Sequence, residues 1–373
     1  MDGKGDAVGR VTSEQWPGVT AWLDHGLRKG IRGRLQAEYP ISLTPENAGS
    51  QRLVRSGDRP LSHAMFRCVT GHLGDVRLSL GLIGLVYTEE EARGRGLAGR
   101  CVEACVEELL RRNVGLAVLW SDRHAFYERL GFHPAGRERF LVLDQRVLRR
   151  VAACEENDRL LPVGEPEPSH WAMIEALYKA RRFRAERRPG DLALLAAAPE
   201  SEFRVACRDG QPVAYAALGR GDDFAEVVHE WAGEGAGVLA CLEALLVGRR
   251  AVGLMTGPED GGLVARLCAA GAAQHDGVFG LVRLLDPRGL WKKVRTTVPE
   301  LEGVELARAH GGVRVTGSAG SVEISDPQAL ALLLEGDSQA DLSALTPALS
   351  DREWHGLEKR QPLPLYLWGF DSI

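Results

Sequence analysis

Between Leu80 and Thr88 the chain reads LGLIGLVYT, apolar on both alternating faces, the pattern of a strand buried inside a sheet. A charged step, Glu89-Glu90-Glu91-Ala92, leads into Arg93-Gly94-Arg95-Gly96-Leu97-Ala98-Gly99-Arg100. From there the apolar positions recur with helical spacing. Ala98, Cys101, Val102, Cys105, Val106, Leu109 and Leu110 share one face, and Glu107–Arg111 and Glu108–Arg112 are set for i,i+4 pairs on the other. Leu116 to Trp120 is apolar again. The order strand, Gly-rich turn, amphipathic helix, strand predicts a parallel βαβ unit. Upstream, Val19–Leu27 and Ile31–Tyr39 read as helices. Gln51–Arg55, Ala64–Val69 and Val76–Thr88 read as an antiparallel meander, turning at Ser56-Gly57-Asp58 and Gly71–Asp75. Residues 1 to about 12 are expected to fray, and Phe140–Leu143 to close the region as its last strand.

The pattern then repeats more weakly. Residues 154–169 carry three prolines and five acids and read as a linker. Trp171–Arg182 predicts a helix, Phe203–Cys207 and Pro212–Leu218 a hairpin, and Phe224–Trp231 a strand. Gly233-Glu234-Gly235-Ala236-Gly237 opens an apolar helix, Val238–Val247. After Leu281–Asp286 comes a smaller α+β stretch: helix Trp291–Val298, strands Val304–Arg308, Val313–Thr316 and Ser321–Ile324, and helix Pro327–Leu334. An apolar run, Pro364 to Phe370, follows. The expectation is a mixed α/β (α+β) fold in three regions, 1–153, 154–286 and 287–373.

Composition narrows the function classes. With 45% hydrophobic and 26% charged residues in 373, and a net charge of −5, the chain suits a globular protein and not a nucleic-acid surface. No apolar run is long enough to span a membrane, so a cytoplasmic location is expected. Seven cysteines lack a CxxC pair and ten histidines lack HxxxH spacing; reduced core thiols and no metal are expected.

The glycines at 94, 96 and 99 allow close backbone approach to a ligand. The free N–H groups of the helix start, beside Arg93, Arg95 and Arg100, suit a pyrophosphate. Gly94-x-Gly96-x-x-Gly99 with Asp122 downstream also fits a dinucleotide fingerprint. The intervening charged segment and the long preceding meander argue against it. Arg93-Gly94-Arg95-Gly96-Leu97-Ala98 resembles the Arg/Gln-x-x-Gly-x-Gly/Ala motif of the GNAT superfamily of N-acetyltransferases. Ala125-Phe126-Tyr127-Glu128-Arg129-Leu130-Gly131-Phe132 is similar to that superfamily's FYxxLGF helix. The resemblance covers roughly residues 15–145. The three-region order resembles the enhanced intracellular survival (Eis) acetyltransferases, with a second, degenerate GNAT unit and a sterol-carrier-like C-terminal region.

What the resemblance implies is specific. Acetyl-CoA would be held by Leu85, Val86, Tyr87, Arg93, Gly94, Arg95, Gly96, Leu97, Ala98 and Gly99, and an amine would be acetylated, whether small molecule, peptide or protein lysine. Tyr127 would be the general acid, and the carboxylate of Ile373 would reach the catalytic centre as base. Glu38, Tyr39, Asp122 and Asp371 are substrate-side candidates. The second Gly-rich turn has Glu234 where the first has arginines, so it is expected to bind no coenzyme. Homo-oligomerisation is left open. A different class, a carrier that holds an apolar ligand in its C-terminal region with both units inert, stands as the alternative.

Overall fold

The computed structural model describes residues 7–153, 161–257, 261–296, 298–334 and 341–373. The first stretch builds β1 (Val8–Arg10), α1 (Trp16–Leu27), α2 (Arg34–Glu38), β2 (Gln51–Ser56), β3 (Arg59–Leu73), β4 (Val76–Thr88), α3 (Leu97–Arg111), β5 (Leu116–Leu119), α4 (His124–Glu128), β6 (His133–Asp144) and α5 (Gln145–Ala152). The second builds β7 (Val163–Gly164), α6 (Trp171–Lys179), β8 (Phe183–Ala185), α7 (Asp191–Ala196), β9 (Glu202–Arg208), β10 (Gln211–Leu218), β11 (Val227–Gly233), α8 (Gly235–Leu246), β12 (Ala251–Thr256), α9 (Gly261–Ala269) and β13 (Ala273–Leu284). The last part adds α10 (Pro287–Arg295), β14 (Glu305–Ala309), β15 (Gly312–Gly317), β16 (Gly320–Ile324), α11 (Asp326–Leu333) and α12 (Asp351–Lys359).

One mixed sheet runs through both larger parts in the order β1-β2-β3-β4-β5-β13-β6-β12-β11-β10-β9-β7, with β8 added to β3; β14–β16 form a separate antiparallel sheet. β4–β5 and β11–β12 are parallel, each joined through a helix on the sheet (α3, α8). At the centre the two halves exchange their last strands. β13 lies between β5 and β6, pairing Leu281 with Leu119 and Val278 with Arg137. β6 in turn pairs with β12 from Ala251–Asp144 to Thr256–Arg139. Strand pairing therefore crosses the division expected at 153/154, whereas β14–β16 pair only with one another.

Local chemistry explains the element ends. Gly33 (φ +75°) breaks the helix expected over 31–39, leaving α2. Asp144 accepts from the Val147 N–H at 2.9 Å and starts α5, which the periodicity left unassigned; Ser350 and Glu353 form the capping box of α12, also unassigned. Val8–Arg10, expected to fray, pairs with Val54–Arg52. Of the expected linker, 154–160 lie outside the described residues, and Val163–Gly164 joins the sheet edge on β9. On α3, Leu110 is 47% exposed. Glu108 is buried in its place: Arg52 (3.4 Å), Arg10 (2.8 Å), Arg112 (3.0 Å) and Arg111 converge on its carboxylate, so Arg111 pairs with Glu108 and not with the expected Glu107. Among the described residues no helix is long and apolar enough to cross a membrane.

Candidate active site

The site begins with a defect in β4. Its pairing with β3 shifts register between His63–Tyr87 and Met65–Gly84, which places one extra residue in β4, and Leu85 there has φ +49°. The buried His63 fixes this bulge. Its Nδ1 is 2.8 Å from the Leu85 carbonyl, and burial lowers its pKa to about 4, so the ring is neutral. Nδ1–H then donates to Leu85 and Nε2 is an acceptor; Gln51 Oε1 stands 3.0 Å from it and the Gln51 NH₂ is buried without a partner, so turning the carboxamide over satisfies both. On its other side β4 pairs with β5 only from Leu80–Leu116 to Leu82–Val118, and β5 stops at Leu119. The two parallel strands part beyond that level, leaving the edge of Gly84–Tyr87 facing a gap.

A cleft of about 1030 Å³ fills one side of this gap. Val86 and Tyr87 form one wall, Arg93, Gly94 and Gly96 to Arg100 a second, and Phe126, Tyr127 and Leu130 of the α4 region a third. Gly94 and Gly96 have φ +76° and +74°, which only glycine adopts without strain, and a Cβ on either would meet nothing within 4 Å. The backbone is thus bare toward the cleft at the start of α3, where unpaired N–H groups and Arg93, Arg100, Arg123 and Arg129 can bind a diphosphate. One expected contact differs: Arg95 does not line the cleft. Leu85, expected to offer only backbone groups, turns its side chain into the core beneath α1 and leaves its backbone at the gap.

Tyr127 is 6% exposed, held edge-on by Phe126 (4.8 Å) and Phe132 (6.1 Å). Burial raises its pKa, against opposing pulls from Arg123 and the Ser121 hydroxyl, so the phenol keeps its proton at neutral pH.

A second cavity, about 480 Å³, shares Ser121 with the cleft. It is lined by Trp120 and His124 after β5, Val278–Leu281 of β13, Glu138 of β6, Tyr39, Arg220, Asp223 and the end of the chain. The last residue reaches the bulge: a Cβ added at Gly84 would lie 2.1 Å from the Ile373 carboxyl oxygen. Three anchors hold that terminus. Arg220 donates to the carbonyls of Gly369 (2.9 Å) and Ser372 (3.3 Å) and to the Ser372 hydroxyl (2.8 Å). Trp368 Nε1 donates to the Phe183 carbonyl at 3.0 Å. Asp371 pairs with Arg187 Nε at 2.8 Å and accepts from Tyr178 at 3.0 Å, while Arg187 also grips Glu230 through both terminal nitrogens.

The substrate-side expectations need correction on three of four residues. Asp371 is fully buried in the Arg187 network and lines neither cavity. Glu38 is equally buried, 2.6 Å from both Arg28 and Arg34, its charge neutralised there. Asp122 is exposed to solvent and lines neither cavity. Tyr39 alone reaches the second cavity, its hydroxyl donating to Asp223 and its ring under the Arg220 guanidinium at 4.6 Å. Glu138, Arg220, Asp223 and Gly84 were missed. They come from separate regions of the chain, and no spacing in the sequence links them.

The second Gly-rich turn differs in kind. A Cβ at Gly233 would overlap the Val213 carbonyl at 2.2 Å, and one at Gly237 the Ala214 side chain at 2.7 Å. These glycines allow α8 to pack on β10, where Gly94 and Gly96 face open space. Glu234 is held by a two-pronged contact from Arg208, 2.8 and 2.6 Å.

Residues 43–135 match the family model for an acetyltransferase (GNAT) domain. Three solved structures match along nearly the whole chain, each covering 98% of it and 100% of their own length. A GCN5-related N-acetyltransferase from Kribbella flavida is 18% identical with a TM-score of 0.66. One from Anabaena variabilis is 13% identical with a TM-score of 0.68. Eis1 from Mycobacterium abscessus is 15% identical with a TM-score of 0.61. At these identities the likeness is one of fold. No curated protein matches the chain. Its bulged β4, bare Arg-Gly turn and parted strands lie within or beside the matched residues, and the chain carries a GNAT acetyltransferase domain at residues 43–135.

Proposed function

We propose that this protein moves the acetyl group of acetyl-CoA directly to a primary amine, with the coenzyme in the larger cleft and the amine in the smaller cavity. The observation that carries this reading is that the two cavities meet at Ser121, beside the bulge of β4. Gly94 and Gly96–Gly99 with Arg93 hold the diphosphate, and the open edge of Gly84–Tyr87 pairs with the pantetheine amides as an added strand would. A backbone N–H near Val86 stabilises the developing oxyanion. The amine nitrogen attacks the thioester carbonyl, the C–S bond breaks, and Tyr127 protonates the departing thiolate. The amine, of pKa about 10.4 if lysine-like, must first lose a proton. The Ile373 carboxylate at Gly84 holds the ammonium and passes that proton on through water. The second region, whose glycines are filled by packing, acts as a structural copy that binds no coenzyme.

Calorimetry with acetyl-CoA tests the assignment. One site per chain is expected, with binding lost in Gly96→Glu, which sets a carboxylate where the diphosphate sits, and kept in Gly235→Glu. A second site, or binding that survives Gly96→Glu, overturns it. Thiol release on a panel of primary amines tests the transfer itself.

A further inference from the structure

The smaller cavity has two ends. At one end are Gly84, the bulge and Ile373, where the reacting nitrogen must sit. At the other is Glu138, on β6. Leu82, Val118, Val282 and His133 lie in one row across β4, β5, β13 and β6. β6 runs parallel to β4, so Glu138, five residues past His133, stands three strands away from Gly84 and three residues further along. Three strand spacings, about 14 Å, and three residues, about 10 Å, put them about 17 Å apart. β5 ends below the level of Glu138, and Trp120, Phe279 and Leu281 line the notch above its end.

We propose that this cavity selects an amine with a second cationic group, an α,ω-diamine or its equivalent, whose far ammonium is held by Glu138 while the near nitrogen is acetylated. The proposal rests on the acetyl-transfer reading above. Charge accounting supports it. Asp223 already has Arg28 at 2.9 Å, Arg220 at 4.0 Å and the Tyr39 hydroxyl. Arg220 is committed to Gly369 and Ser372. Glu138 is different: among the described residues no hydrogen bond or ion pair reaches its carboxylate. Burial alone raises its pKa to about 7, a state that a cation in the cavity would reverse. The other charged or titratable groups around the cavity are His124, Tyr39, Arg220, Asp223 and the Ile373 carboxyl. Allowing about 3 Å at each end for a charge-assisted contact leaves about 11 Å between the nitrogens, the span of roughly eight methylenes. Trp120, Phe279 and Leu281 offer apolar surface between the ends for a methylene chain.

The test compares kcat/KM for 1,6-diaminohexane, 1,8-diaminooctane and 1,10-diaminodecane with that for octylamine. An optimum near the eight-carbon diamine is expected, at least tenfold above octylamine, and in Glu138→Gln the diamine-to-monoamine ratio should fall to about one. A wild-type ratio near one, or a ratio that Glu138→Gln leaves unchanged, overturns the proposal. Calorimetry reads the subsite without turnover. At about pH 6, below the Glu138 pKa, 1,8-diaminooctane should release close to one proton on binding wild type and none on binding Glu138→Gln. Equal release by both overturns it. Glu138-dependent binding and release with no acetylation of any amine would instead sink the transfer reading and leave the subsite standing.

Discussion

Two residues at the junction of the cavities test the chemistry most directly. Tyr127→Phe keeps the ring against Phe126 and Phe132 and removes only the proton that the buried phenol retains. If that proton goes to the thiolate, kcat falls about 10²–10⁴-fold with acetyl-CoA affinity little changed. A variant within about threefold of wild type would return Tyr127 to a packing role. Gly84→Ala addresses Ile373. The added methyl would overlap the terminal carboxyl group, which must move, while the coenzyme contacts at 93–100 lie elsewhere. Reduced turnover with unchanged acetyl-CoA affinity and melting temperature is expected. Full turnover in this variant, and in a protein with a C-terminal amide, would strip the carboxylate of any role in the reaction.

At the scale of elements, β4 and the C-terminal segment are each held by a buried polar device. For β4 it is His63, neutral and fully buried. Its folded pKa, about 4, lies below the unfolded value near 6.5, so its stabilisation is complete above about pH 6.5 and is lost as pH falls toward 4. The loss amounts to on the order of 3 kcal/mol, and His229, also lowered by burial, to about 3, adds in the same direction. Glu138, raised to about 7, acts in the opposite sense over an overlapping window, since its folded form takes up the proton first. The contrast between wild type and His63→Gln isolates the histidine: the variant's melting temperature should fall less steeply between pH 6.5 and 4.5. Parallel curves would sink the assignment. For the C-terminal segment the device is Asp371 with Arg187, Glu230 and Tyr178. Arg187→Ala leaves two buried carboxylates without their cation and should cost about 3–5 kcal/mol, seen as a lower denaturant midpoint. A loss below about 1 kcal/mol would contradict a buried, coupled network.

For the whole molecule, the exchange of β6 and β13 is decisive. Residues 1–153 produced alone would leave β5 without β13 and β6 without both of its neighbours, exposing the apolar side chains of Leu119, Leu141 and Leu143. This fragment should be insoluble or lack cooperative unfolding. A stable, acetyl-CoA-binding 1–153 fragment would show that the exchange is not required.

Much of the coenzyme side was present in the sequence, because it depends on contacts close along the chain. The apolar run of β4, the glycines at 94 and 96, the helical periodicity of α3 and the Phe126-Tyr127 pair are local patterns, and a local pattern determines strand, turn and helix wherever its own spacing dictates the burial. Even there tertiary contacts had the last word. Glu108 turned inward because arginines from β1, β2 and α3 converge on it, and Leu110 took the solvent position. The second cavity was decided only by the tertiary structure. Tyr39, Glu138, Arg220, Asp223 and Ile373 are scattered over more than 330 positions, and they meet because two strands cross between the halves and the chain end is drawn under Arg220. Asp371 and Glu38 carry the same charge in the sequence as Glu138 does. What separates them is whether an arginine lies within reach, and that depends on how distant segments pack and not on any neighbour along the chain.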